Sequence, residues 1–135
     1  MCRPGEGADR NPELAAKYPL KIISPKSHEL LNSRDANESR KREREGEQFV
    51  LVSECDAANR GISDGDRVRV SNGRGAFARR ARVSDDVNPG LPVTTVGNWR
   101  QLSSDMVNAI SSAEFVNTGR AATCSDNLIE LERVE

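Results

Sequence analysis

The sequence is poor in the side chains that most often carry chemistry. Histidine occurs once, at His28, tryptophan once, at Trp99, and cysteine three times, at Cys2, Cys55 and Cys124. A single histidine excludes a Ser–His–Asp triad or a multi-histidine metal site unless a partner supplies the rest. The cysteines are odd in number, far apart and never in a C-x-x-C pair. That spacing argues against zinc or an iron–sulfur cluster held by this chain alone, and the thiols read as reduced and partly buried. No apolar run approaches the ~18 residues of a membrane span, and no charged stretch leading into an apolar one marks a secretory signal. The 20 basic and 21 acidic residues leave a net charge of −1, so there is no overall attraction to nucleic acid or an anionic membrane. A soluble, cytoplasmic chain is expected.

What is present suits one small domain. The 135 residues match the usual single-domain length. Leu, Ile, Val and Phe together number 28, near the level at which chains stop folding, but disorder also requires a large net charge. Residues 1–17, with Pro4, Gly5, Gly7 and Pro12 and little apolar periodicity, read as a flexible lead-in to a domain over 18–135. Within that domain, 34–47 holds five charges of each sign and Ala36 as its only apolar side chain. Such a segment buries too little to offset its ordering entropy, so a solvated loop or frayed helix is expected; the interleaved acids argue against a basic binding arm.

The rest alternates short strands with turn signals. Tyr18–Ser24 is a strand candidate stopped by Pro25, and Phe49–Val52 is a second. Ser53 with Asp56 three residues on reads as a helix start, and Gly61 as its stop. Asp66–Val70 alternates with period two, which puts Val68 and Val70 on one buried face. Asn72-Gly73 predicts a tight hairpin turn with positive φ, returning through a strand over 75–84. Asn88-Pro89-Gly90 is a further turn, followed by strands over Leu91–Val96 and Leu128–Val134, the latter with Glu130 and Glu132 outward. Ser103 and Ser104 are candidate caps for helical turns through Met106, Val107 and Ile110. The fold class is all-β, a barrel or sandwich with short helices.

No phosphate loop, dinucleotide fingerprint, nucleophile elbow or H-E-x-x-H motif occurs. Gly73-Arg74-Gly75 is accounted for by the hairpin, and Asp64 and Asp66 by the turn that they flank. Two segments stand out. Ser24-Pro-Lys-Ser-His-Glu-Leu-Leu-Asn-Ser33 gathers donors and acceptors suited to the edge of a polar heterocycle, with lysine free for phosphate. Trp99 to Asn108 places an aromatic nine residues before an amide. Loop capping explains either segment equally well.

The same residues resemble a known family. Leu20–Ser33, Asp56–Val70, Asn72–Phe77, Val107-Asn-Ala-Ile110 and Ser125-Asp-Asn-Leu-Ile-Glu-Leu131 follow, in order and over roughly 18–134, the molybdopterin dinucleotide-binding domain. That domain ends the large subunit of the dimethyl-sulfoxide-reductase and formate-dehydrogenase superfamily. The G-I-x-D-G-D-x-V-x-V element is shared with other double-psi barrels, whereas S-P-K-x-H-x-x-L-N-S followed by V-N-A and D-N-L is more specific.

The resemblance implies a six-stranded double-psi β-barrel covering one side of a molybdopterin guanine dinucleotide. Molybdenum would be held by the cofactor and by other domains. By position, Ser24, Pro25, Lys26, His28, Asn32 and Ser33 would lie along the pterin and pyrophosphate. Trp99 would stand against the cofactor, and Asn108 would hydrogen-bond the pterin. Ser125 falls where several relatives carry a lysine, Asp126 and Asn127 match an aspartate–asparagine pair, and Cys124 replaces a bulkier residue. The implied partners are an electron-transfer subunit and the remaining domains of the oxidoreductase subunit, with no activity in this chain alone. Three readings follow: a C-terminal piece of a longer oxidoreductase, a separate small subunit completing a cofactor site, or a non-enzymatic barrel that binds proteins or peptides, as at the amino terminus of some ATPases.

Overall fold

A computed structural model of the chain describes residues 11–30, 34, 37–96, 106–113 and 127–134. Its middle follows directly from local chemistry. The apolar run Phe49–Val52 forms β2, and Ser53 then caps helix α3, Glu54–Arg60, its hydroxyl accepting from the Asp56 N–H at 3.1 Å. Gly61 ends α3 in the left-handed region, at φ 63°. The chain turns at Gly65, and the Asp66 carboxylate accepts from the Ser63 N–H at 2.8 Å. It then enters β3, Arg67–Ser71, in which Val68 and Val70 are fully buried.

The hairpin to β4, Ala76–Val83, differs from the expected tight turn. Its loop has four residues, 72–75, and Gly73 is not among the positive-φ glycines. The Asn72 side chain shapes the loop instead, its Oδ1 accepting from the N–H groups of Arg74 (3.0 Å) and Gly75 (3.3 Å). Along β4, Phe77, Arg79 and Ala81 face inward. The buried Arg79 guanidinium donates to the Thr94 hydroxyl and to the Thr95 carbonyl.

Strand β5 is only Val93–Thr94, shorter than the expected Leu91–Val96, because Pro92 has no N–H to give a ladder. The first strand, β1, is Leu20–Ile22, and the last, β6, is Asn127–Arg133. In the lead-in, Asn11 caps a short helix α1, Pro12–Lys17, with Pro12 in its first turn. The charged segment contains helix α2, Ser39–Glu45. Neither helix buries a residue.

The strands run in the order β1-β6-β3-β4-β2-β5. Neighbours are antiparallel except β2 and β4, which pair in parallel from Phe49↔Arg80 to Val52↔Val83. The row closes on itself through a second parallel contact. Ile23 N–H donates to the Pro92 carbonyl (2.9 Å), Thr94 N–H to Ile23 (3.0 Å) and Val96 N–H to Pro25 (3.0 Å). Six strands, with parallel pairs β2–β4 and β1–β5 set in an otherwise antiparallel ring, make the double-psi β-barrel implied by the resemblance. Ile22, Val50, Val52, Val68, Val70, Ile110 and Ile129 fill its centre without exposure.

One end of the barrel is closed by a buried carboxylate. Asp56 Oδ2 accepts from the Ser53 hydroxyl and from the Gly90 N–H, both at 2.7 Å, tying α3 to the turn before β5. Asp56→Ala is therefore expected to lower the unfolding free energy by about 2–4 kcal/mol in urea titrations, because it leaves the buried Ser53 hydroxyl and the half-buried Gly90 N–H without this acceptor. Glu54→Gln, on the exposed face of the same helix, is expected to stay within about 0.5 kcal/mol.

Candidate functional site

The strand directions gather the candidate segments at the opposite end. β1 finishes there at Ile22, opposite Asn127, where β6 begins. The β3–β4 loop lies at the same end, β5 points toward it, and Ser24–Leu30 leaves the barrel from it. A 3-10 turn, Val107–Ile110, packs beside the hairpin, capped by no side chain. Ser103 and Ser104, the expected caps, lie outside the described residues.

This turn is held by a polar clamp. The Ile110 carbonyl accepts from Asn72 Nδ2 (2.8 Å), Arg74 Nε (3.0 Å) and Arg74 Nη2 (2.8 Å). Arg74 Nη2 also reaches Asn127 Oδ1 at 3.1 Å, and that oxygen accepts from the Ser112 N–H at 3.0 Å. Gly75 makes the approach possible: a Cβ there would lie 2.6 Å from the Ala109 carbonyl oxygen. The hairpin thus accounts for the Gly73-Arg74-Gly75 backbone, while the Arg74 side chain serves a second purpose.

Of the ten residues put forward as cofactor contacts, five are described. Ser24 is half-buried, and its hydroxyl has no hydrogen-bond partner among the described residues. Pro25, Lys26 and His28 are exposed and line one cleft of about 560 Å³. Asn108 is exposed on the 3-10 turn and does not line that cleft, although it stands at the same end of the barrel. Asn32, Ser33, Trp99, Ser125 and Asp126 lie outside the described residues. The floor of the cleft is apolar, with Phe49, Leu51 and Val93 from β2 and β5, and its rim carries Glu29, Arg44, Glu45 and Glu47. Gln48 also lines it, and both polar atoms of its amide are buried without a partner. Among the described residues no group of three or more His, Cys, Asp or Glu side chains is placed to hold a metal ion.

Comparison with known proteins decides the family. A family model described as "Molydopterin dinucleotide binding domain" matches residues 20–125. The chain belongs to the molybdopterin dinucleotide-binding domain family. A Halobacterium salinarum protein named as the catalytic subunit of a dimethyl sulfoxide reductase is 35% identical over 120 residues, which is 88% of this chain and 14% of that one. The dimethyl sulfoxide/trimethylamine N-oxide reductase of Cereibacter sphaeroides is 40% identical over 98 residues, 70% of this chain and 12% of that one. Among solved structures, acetylene hydratase from Pelobacter acetylenicus superposes with a TM-score of 0.83 at 15% identity, covering 99% of this chain and 21% of that one. That likeness establishes the fold. The chain thus spans about an eighth of the length of these curated relatives.

A domain of this family takes molybdopterin guanine dinucleotide, with molybdenum, as its cofactor. The residues present fit such a group. The Ser24 hydroxyl and the Gln48 amide are buried and unpaired, which suits the donors and acceptors of a heterocycle, and Lys26 is a cation suited to a pyrophosphate. Burial and pairing, which found Gln48 and the clamp, leave no mark in a single sequence.

The clamp yields a test. Gly75→Ala drives the new methyl into the Ala109 backbone carbonyl, so the 3-10 turn must move. Amide exchange over Val107–Ile110 should accelerate at least tenfold, a loss of about 1.4 kcal/mol in local stability, while β2 and β3 keep their protection.

Proposed function

We propose that this chain is the cofactor-covering domain of a larger molybdenum oxidoreductase of the dimethyl sulfoxide reductase type. Its β1-exit end would lie against a molybdopterin guanine dinucleotide. The observation that carries the reading is the family match over 20–125, joined to the convergence of the candidate segments at one barrel end. Ser24, Pro25, Lys26, His28, Asn32 and Ser33 run along the pterin and pyrophosphate. Trp99 stands against the cofactor, Asn108 bonds the pterin, and Ser125 and Asp126 complete the contact.

Chemistry belongs to the cofactor when bound, which supplies the electron and oxygen-atom transfer. This chain binds, orients and keeps water from one side of it. Other domains of the same subunit provide the rest of the site, and an electron-transfer subunit delivers the electrons. The names of the relatives support a sulfoxide or N-oxide as substrate class. The unpaired Ser24 and Gln48 groups favour this reading over a barrel that binds proteins, which has no need of them.

The experiment is a comparison of Lys26→Ala and Asn108→Ala in the 135-residue chain and in the full-length subunit. Both side chains are exposed, so the melting temperature of the short chain should shift by less than about 1 °C. In the full-length subunit, molybdenum and released guanine nucleotide per polypeptide should fall severalfold. Full retention in both variants contradicts the proposal. The short chain alone should not reduce dimethyl sulfoxide or trimethylamine N-oxide with a reduced viologen dye; turnover would contradict it equally.

A further inference from the structure

We propose that Gln48 is a further cofactor-reading residue, whose amide pairs with the 2-amino-4-oxopyrimidine edge that pterin and guanine share. This rests on the cofactor reading above and adds a residue that the sequence did not single out. Gln48 immediately precedes β2 and lines the cleft beside Lys26 and His28. Its Nε2 and Oε1 are both buried and both without a hydrogen-bond partner. A buried amide in that state weakens the fold of the ligand-free chain, so its presence calls for a compensating role.

Its neighbours are otherwise engaged. The Glu47 carboxylate faces Arg80 Nε at 3.0 and 3.2 Å, and the Thr94 hydroxyl donates to the Phe49 carbonyl at 2.7 Å. Glu29 lies 4.0 Å from Arg44 across the rim. Gln48 alone among these offers a donor and an acceptor side by side. The shared heterocycle edge presents the complement, a ring N–H next to a ring carbonyl. With the side chain rotated so that its amide faces the cleft, Oε1 accepts from the N–H and Nε2 donates to the oxo group. The apolar floor of Phe49, Leu51 and Val93 excludes the water that would otherwise compete for both.

The test uses the 135-residue chain with two probes, GMP and 6-carboxypterin, titrated by NMR, and the apolar variant Gln48→Leu. Loss of the amide should weaken one probe by about three- to tenfold, and which probe responds tells which part of the cofactor is read. The ligand-free variant should melt at the wild-type temperature or above it, because an unpaired amide has been removed. Gln48→Met, similar in length, replaces the leucine variant should that one not fold. Unchanged affinity for both probes overturns the proposal. If Lys26→Ala weakens binding in the same series while Gln48→Leu does not, the cofactor reading survives and only the role of Gln48 is lost. A wild-type chain that binds neither probe counts against both.

Discussion

Asn127 is fully buried at the first position of β6, and the site end of the barrel is organised around its amide. Its Oδ1 accepts from the Arg74 guanidinium and the Ser112 N–H, so one atom joins the hairpin loop to the segment after the 3-10 turn. Its backbone pairs with Ile22, from which Ser24–Leu30 departs. A buried polar group of this kind has few satisfactory arrangements, because an unpaired one costs about 1–3 kcal/mol. The amide therefore fixes three segments relative to one another where an apolar contact would let them slide.

The opposite end is fastened by the same device with different residues. Asp56 holds α3 to Gly90 as Asn127 holds the 3-10 turn to the hairpin. Between them lies a core of valine and isoleucine, packed by the inward faces of β2 and β3. The barrel is thus a rigid spacer with two polar fastenings. Its α3 end contains no polar atom left buried and unpaired among the described residues, whereas near the β1-exit end Ser24 carries one and Gln48 two. That asymmetry supports the β1-exit end as the proposed recognition face.

Much of the barrel was legible in the sequence wherever a local signal decides the structure. The Phe49–Val52 run, the Ser53 and Gly61 caps and the Val68/Val70 alternation all appear in place, because each is a choice made within a few residues. Failures came where a longer-range partner or a stronger local rule intervened. Asn72 shapes its loop with a side chain because the same amide must also reach Ile110, 38 residues away. Pro92 cuts β5 short, and the Asn11-Pro12 pair starts α1 in a stretch without apolar periodicity. The candidate segments, Ser24–Ser33 and the stretch around Asn108, were legible as a family pattern. The Arg74 clamp and the burial of the Gln48 amide were not, since each depends on groups that only the closed barrel brings near.

The central claim, that the cofactor lies against the β1-exit end, is tested most directly by hydrogen–deuterium exchange on the full-length subunit with and without bound cofactor. Protection gained on cofactor binding should concentrate in residues 22–30, 72–75, 94–96 and 106–113. The α3 helix and the turn at Asn88–Gly90 should exchange alike in both forms. Protection centred instead on Glu54–Arg60 and Asn88–Gly90, or no difference at either end, would contradict the account.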